Sequence, residues 1–305
     1  MDLPLFKKNE FYPMIWGIRE TEIPMGMRSV GTGNVYYVDY DHNLANDDNT
    51  GVDPDNPLKT IQAAVDKVDD YDFIVVRSID SSGEQVVTSG DADHVTLIGC
   101  GDSRYTPTWT ADTGEYCLVL NNDGWKVSGF RFLVPAPSIA LAGGIGVVVT
   151  GDMNVITGNY FDGGTVGAEG IYTSGSDTWV MDNFFSLFHS TAGSVAINAS
   201  TDGTKLFVIN NVFMDNDNHI VSLKPESFIT GNTIQQVGYA YTATVSLDTS
   251  DATNSIVSRN VFGGDYSIAG GFEGDATDMW VGNISDDIAE TEVADNGFTV
   301  AIPAA

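Results

Sequence analysis

A six-residue phrase recurs along most of this chain and limits its fold more than any other feature. The copies are VSGFRF at 127–132, ITGNYF at 156–161, VMDNFF at 180–185, VINNVF at 208–213, ITGNTI at 229–234, VSRNVF at 257–262 and WVGNIS at 280–285. Aligned on Phe130, Asn159, Asn183, Asn211, Asn232, Asn260 and Asn283, they step by 29, 24, 28, 21, 28 and 23 residues, about 25 on average. Periods of that size mark arrays of stacked units, each too small to bury its own apolar face. Three positions before each anchor stand Val127, Ile156, Val180, Val208, Ile229, Val257 and Trp280; two after it stand Phe132, Phe161, Phe185, Phe213, Ile234, Phe262 and Ser285. Like residues in register are expected to lie directly over one another.

The interval is too short to hold a helix in each unit, and leucine is too sparse for a leucine-rich repeat, so an all-β coil remains. A second strand precedes each phrase, in EYCLVL, GIGVVVT, GIYTS, SVAINAS, HIVSLK, ATVSLD and YSIAGG, with turns such as TGDMN, SGSD, STDG and DTSDATN between. Alternation within the strands sends Val, Ile and Phe into a common interior. The anchor Asn residues suit a ladder of side-chain amides at a bend, a structural role first. A weaker copy at LIGCG places Leu97 in the apolar column, Gly99 at the small position and Cys100 at the anchor, which gives about eight rungs. Composition agrees: 33 glycines and only 13 Lys+Arg favour turn-rich β-structure, and 42% hydrophobic residues supply a core.

Residues 34–77 have a different character. NVYYVDY reads as a strand and DHNLANDDNTGVDPDNP as a loop; LKTIQAAVDKV is a short amphipathic helix with Ile61, Ala64, Val65 and Val68 on one face, followed by the strand FIVV. This strand, Gly/Asp/Pro loop and T-I-Q-x-A-V helix resemble the entry module of pectate-lyase-like right-handed parallel β-helix proteins, which include phage tailspikes and virion β-helix proteins. The resemblance is close over 34–80 and a matter of pattern to about 285. It implies an all-β, single-stranded right-handed parallel β-helix (solenoid) with an N-terminal capping helix that plugs the open end. It also implies a homotrimer with its solenoids side by side.

Four segments follow: an N-terminal arm (1–33), a cap with the first strands (34–94), the rungs (95–285) and a closing tail (286–305). The arm has no period, and its Phe, Tyr, Trp, Ile and Met side chains need a surface to bury against, either a partner or the chain's own solenoid.

A formal charge of −29 excludes nucleic acid as a partner and disfavours acidic polysaccharides, because repulsion dominates at long range. Two cysteines, Cys100 and Cys117, cannot form a disulfide framework or a complete zinc site and read as buried thiols. Lys7 and Lys8 are followed by Glu10, Pro13, Arg19 and Glu20, which leave no signal-peptide apolar region, and no 18-residue apolar run exists. A soluble protein, not a membrane partner, is expected.

Chemistry is sparse. Lyase elimination needs a cationic base beside calcium-binding acids, yet beyond residue 132 the cations are Lys205, Lys224 and Arg259. Glycoside hydrolysis needs paired carboxylates; the best cluster, Asp215, Asp217 and His219, has only Leu187 and Gln236 as equivalents in adjacent rungs and reads as a solvated turn. Asp39-Tyr40-Asp41-His42-Asn43, with Asp47, Asp48, Asp53 and Asp55, begins like a calcium loop, but Leu44 and Thr50 stand where an EF-hand needs Gly and Glu. Gly144-Ile145-Gly146 lacks the third glycine of a dinucleotide fingerprint, and Asn198-Ala199-Ser200 is a chance glycosylation match. No catalytic, cofactor or metal residue is therefore assigned.

The expected role is a virion structural protein, a capsid decoration (cement) or short fibre component exposed on a phage particle, with the arm bound to capsid or tail proteins. The alternative is a tailspike-like protein that binds or degrades cell-surface polysaccharide, using Trp109, Trp125, Trp179 and Trp280.

Overall fold

The computed structural model describes residues 33–77, 83–101, 107–137, 143–189, 194–236, 247–264 and 272–285. The tail at 286–305, the arm apart from Gly33, and the expected strand YSIAGG lie outside them.

The chain is a right-handed parallel β-helix. Sheet A contains β1 (Val35–Val38), β2 (Phe73–Val76), β4 (Thr96–Gly99), β7 (Lys126–Ser128), β10 (Val155–Thr157), β13 (Thr178–Met181), β16 (Leu206–Ile209), β19 (Phe228–Thr230), β22 (Ile256–Ser258) and β25 (Met279–Val281). Sheet B contains β5 (Thr108–Trp109), β8 (Arg131–Leu133), β11 (Tyr160–Asp162), β14 (Phe184–Ser186), β17 (Val212–Met214), β20 (Thr233–Gln236), β23 (Val261–Gly264) and β26 (Ile284–Ser285). Sheet C contains β3 (Val86–Val87), β6 (Tyr116–Leu120), β9 (Ile145–Val149), β12 (Glu169–Thr173), β15 (Val195–Ala199), β18 (Asn218–Ser222), β21 (Leu247–Thr249) and β24 (Phe272–Gly274). The chain visits C, A and B in turn, and each strand pairs in parallel with its equivalents one turn away.

Each recurring phrase is thus two strands, one in sheet A and one in sheet B, hinged at the anchor. The residue before the anchor explains the preference for small side chains there. Gly129, Gly158, Asp182, Asn210, Gly231, Arg259 and Gly282 all have positive φ, between 54° and 82°, a region that disfavours a Cβ and suits Gly, Asn and Asp. Arg259 is the exception in chemistry and obeys the same geometry, with its side chain in solvent.

The apolar columns stack as the spacing predicts. Val127, Ile156, Val180, Val208, Ile229, Val257 and Trp280 are successive register partners. Leu97 and Ile74 extend the file toward the N-terminus, so β1 and β2 of the expected cap already belong to sheet A. In sheet B, Trp109, Phe132, Phe161, Phe185 and Phe213 form a file of stacked rings with centroids 5.4, 4.8, 4.8 and 5.0 Å apart. Cys100 stands at the expected anchor position in the register, opposite Phe130, but packs with Tyr37 and Val75 in a small separate cluster, whereas Phe130 belongs to the main interior.

The amide ladder runs from Asn159 to Asn283. Each Oδ1 accepts the main-chain N–H one turn back, as Asn211 Oδ1 does from Asn183 at 2.9 Å, and each Nδ2 donates to the preceding strand, as Asn211 Nδ2 does to the Val180 carbonyl at 2.8 Å. The same pattern links Phe130, Asn159, Asn183, Asn211, Asn232, Asn260 and Asn283.

At the N-terminal end, α1 (Ile61–Val65) packs against β1, β2 and β3. Ile61, Ala64, Val65 and Val68 join the main core. Thr60 caps the helix through Oγ1 to the Ala63 N–H at 3.2 Å, and Asp47 Oδ1 holds the N–H groups of Lys59 and Thr60, both at 2.8 Å.

Asn211→Ala leaves a buried N–H and a buried carbonyl without partners inside the stack. It is expected to lower unfolding free energy in urea by about 2–4 kcal/mol, with a smaller loss for Asn283→Ala, which among the described residues is bonded to one neighbouring ladder Asn instead of two. Equal losses at the two positions would show that the ladder does not act as a stack.

Candidate functional site

The residues singled out by sequence lie in separate environments. Asp215, Asp217 and His219 do not form a solvated turn. All three are buried, at 9%, 3% and 0% exposure. The Asp215 and Asp217 N–H groups donate to the carbonyls of Gln235 and Phe188. The register places His219 where preceding turns carry Gly146, Gly170 and Ala196. A Cβ at Gly146 or Gly170 would already lie 3.1 Å from the ring of Phe161 or Phe185. His219 instead stacks on Phe213, centroids 6.0 Å apart, and burial pushes its pKa down to about 3. A neutral, dry imidazole packs the core and is a poor general base at neutral pH.

The three cations behave as struts or surface groups. Lys224 is fully buried, and its Nζ donates to the carbonyls of Gly175 and Asp202, both at 2.6 Å. Desolvation lowers its pKa to about 8, opposed by Asp152 and Asp202. Lys205 Nζ lies 4.0 Å from carboxylates of both Asp177 and Glu226 at the surface. Arg259 is exposed at its bend.

The Asp/Asn loop forms local turns. Asp39 Oδ1 accepts the Asp41 N–H, Asn46 Oδ1 the Asp48 N–H and Asp53 Oδ1 the Asp55 N–H, which are Asx turns. Among the described residues no group of three acid, His or Cys side chains converges as a metal site. Cys100 and Cys117 are buried thiols, each pushed up to about 12 by desolvation.

Of the tryptophans, Trp109, Trp125 and Trp280 are interior, with the first two donating from Nε1 to the carbonyls of Glu84 and Ala92, both at 2.9 Å. Trp179 faces outward, but its ring is covered by Phe207, centroids 3.9 Å apart and planes 8° from parallel. The face that a sugar ring stacks on is occupied.

Two features were not read from sequence. On the outer face of sheet B, Arg131 pairs with Asp162 at 2.7 Å and lies over the Tyr160 ring at 5.3 Å. The Tyr160 hydroxyl meets Ser186 Oγ at 2.9 Å, and burial foremost raises its pKa. The other oxygen of Asp162 accepts the Gly164 N–H at 3.0 Å. This cluster is the best candidate for a polar ligand site, but both Asp162 oxygens are engaged within it. Its residues come from three turns, one and three positions after the anchors Phe130, Asn159 and Asn183, where the residue type varies from turn to turn. The second feature is an aspartate ladder at the bend from sheet C to sheet A. Asp70, Asp93, Asp123 and Asp152 each accept the main-chain N–H of the next turn, at 2.9, 3.0, 2.7 and 2.7 Å. The turn TGDMN carried part of the signal, in Asp152, but uneven loop lengths hide the column.

No protein-family model and no curated protein sequence matches this chain. Among solved structures it is similar to a GH136 lacto-N-biosidase from Eubacterium ramulus, with a TM-score of 0.57 and 12% identity over 85% of this chain and 61% of that one. It is also similar to the tailspike protein of E. coli bacteriophage HK620 in complex with a pentasaccharide, with a TM-score of 0.50 and 13% identity over 72% of this chain and 51% of that one. The three chains share a fold. This one spans about half to three fifths of the length of those two proteins, and identity this low speaks for architecture alone.

Glu84 gives the electrostatics a measurable consequence. Its carboxyl accepts the Gln62 N–H at 2.8 Å at the start of α1, and burial raises its pKa from 4.5 to about 7. Because the folded chain holds this proton more tightly than the unfolded chain, Glu84's stabilising contribution is complete below about pH 4.5 and lost as pH rises through about 7. Wild type is expected to lose up to about 3 kcal/mol relative to Glu84→Gln over that window, measured by urea unfolding across pH. A gap independent of pH would rule this out.

Proposed function

We propose that this chain is a structural component of a phage particle, a capsid decoration or short fibre element whose β-helix stands on the particle exterior and whose residues 1–33 bind capsid or tail proteins. The observation that carries this reading is that the polar groups singled out above are engaged by groups of the chain itself; of the neighbouring carboxylates Asp248 and Glu273 on sheet C, Asp248 already accepts the Ser250 N–H. Asp162 is held by Arg131 and Gly164, Lys224 by two carbonyls, and the stacked aspartates by main-chain N–H groups. Glycoside hydrolysis instead needs two carboxyl groups held roughly 5–9.5 Å apart and open to substrate. The likeness to a tailspike supports a particle-borne role, and the acidic exterior suits a protein displayed at high density.

A second reading rests on the same likeness together with that to a glycoside hydrolase: a tailspike-like protein that binds or degrades a neutral or basic polysaccharide. It places the sugar against Arg131, Tyr160 and Asp162 on sheet B. Two measurements separate the readings. Quantitative mass spectrometry of purified particles is expected to find the protein at a copy number fixed by the lattice or tail symmetry, with deletion of residues 1–33 abolishing incorporation. Release of reducing or unsaturated sugar from host polysaccharide, lost in Asp162→Asn, would overturn the scaffold reading.

A further inference from the structure

We propose that the outer face of sheet A across β4, β7 and β10 binds a ligand bearing a single carboxylate, held by the Lys126 ammonium and the hydroxyls of Thr96, Ser128 and Thr157. The site depends on neither of the two readings above.

Lys126 opens β7, where the register sets it between Thr96 and Val155. Trp125 and Val127 on either side of it point into the main core, so strand alternation turns Lys126 outward. Ser128 faces the same way, between Ile98 and Thr157. Although they point outward, Lys126, Thr96 and Val155 are only 8%, 8% and 2% exposed. The lysine stem is therefore sunk among its neighbours, while its amine still reaches water. Among the described residues no carboxylate or carbonyl answers this charge. Lys205, by contrast, lies between two carboxylates, and Lys224 donates to two carbonyls. Burial lowers the Lys126 pKa with no carboxylate opposing it, whereas Asp152 and Asp202 oppose the same shift at Lys224. In a chain with 42 acidic residues, a half-desolvated cation left without a counter-ion carries a cost that a bound anion would relieve.

The surroundings select the ligand. The strands TLIG, KVS and VIT hold no acid that would repel an anion. Neighbouring strands lie about 4.8 Å apart and alternate residues of one strand about 6.6 Å apart, so a four-carbon stem brings its amine among the three hydroxyls. The ammonium offers three donors and each hydroxyl one, and the two oxygens of a carboxylate can take the ammonium and a hydroxyl together. One ammonium compensates one negative charge. A phosphate dianion would leave a charge unpaired and meet twice the long-range repulsion from a molecule of net charge −29. Ile98 and Val155 flank the polar groups in the same two columns and suit the carbon chain that carries a carboxylate.

The test is isothermal titration of the full chain with sodium butyrate, its neutral isostere butyramide and inorganic phosphate. Butyrate is expected to bind about tenfold more tightly than butyramide, and more tightly than phosphate. Lys126→Met keeps the stem and removes the charge; it is expected to weaken butyrate binding about tenfold with circular dichroism and the unfolding midpoint preserved. Ser128→Ala with Thr157→Val is expected to weaken it about threefold, whereas Lys59→Met, an exposed charge lost elsewhere, leaves affinity as in wild type. A measurement on wild type alone backs the variants: trace acetylation read by peptide mass spectrometry is expected to modify Lys126 more slowly in butyrate than in butyramide, with other lysines unchanged. A peptide carrying one glutamate, set against its glutamine counterpart, then tells a protein side chain from a free acid as the source of the carboxylate: binding tighter than butyrate marks the former, equal or weaker binding the latter. Equal binding of butyrate and butyramide, tighter binding of phosphate, undiminished affinity in Lys126→Met, or Lys126 acetylation unaffected by butyrate overturns the proposal.

Discussion

Everything in this molecule depends on the bend between sheets A and B closing the same way in every turn. A parallel coil can bond its main chain only to the turns above and below, and at a sharp bend the strand pattern breaks, leaving N–H and C=O groups that must find other partners inside a dry interior. The anchor Asn supplies both: Oδ1 takes an N–H one turn back and Nδ2 reaches a carbonyl of the preceding strand. The left-handed residue before it turns the chain. Once this unit repeats, the flanking residues have no freedom of register, and the aliphatic file of sheet A and the aromatic file of sheet B follow.

In-register stacking places like residues on like, with opposite consequences for apolar and charged columns. Aromatic rings at 4.8 Å gain contact on both faces, whereas stacked carboxylates repel. The aspartate ladder is tolerable because each carboxylate accepts a main-chain N–H and faces water at its rim. In the interior the same constraint makes an unpartnered ion costly. His219, in a column where the preceding turns carry Cys117, Gly146, Gly170 and Ala196, is admitted as a neutral ring against Phe213. Lys224 is buried only because two turn carbonyls converge on its ammonium.

Legibility in the sequence followed the same division. The files through Val127 and Phe132 were readable because both lie within three residues of the anchor, where no insertion intervenes. The two-strand nature of the phrase was harder to see, since a bend of one residue leaves no gap in the apolar pattern. Columns beyond the loops were invisible. The equivalence of Asp215 and Leu187, both at positive φ, was still readable two residues after the sheet B strand, but the turns from sheet B to sheet C then differ in length, and the burial of Asp217 and His219 could not be foreseen. Arg131, Tyr160, Asp162 and Ser186 meet across three turns at readable register positions, but their differing chemistry gives no column of like residues. Trp179 could be placed on a strand from sequence, but its pairing with Phe207 follows only from the register between β13 and β16.

The outward aromatic column bears directly on function. Sugar recognition on a solenoid requires ring faces turned to solvent, together with polar groups that have spare bonding capacity. Successive turns 4.8 Å apart work against the first requirement, because an aromatic above another aromatic turns its face inward to its neighbour and shows solvent only an edge. Trp179 over Phe207 does this. A sugar platform would need the aromatic column interrupted by small residues, leaving a ring uncovered, or rings carried on loops that escape the register. The described strands of sheet A take the other course, stacking Trp179, Phe207 and Phe228 in one outward column.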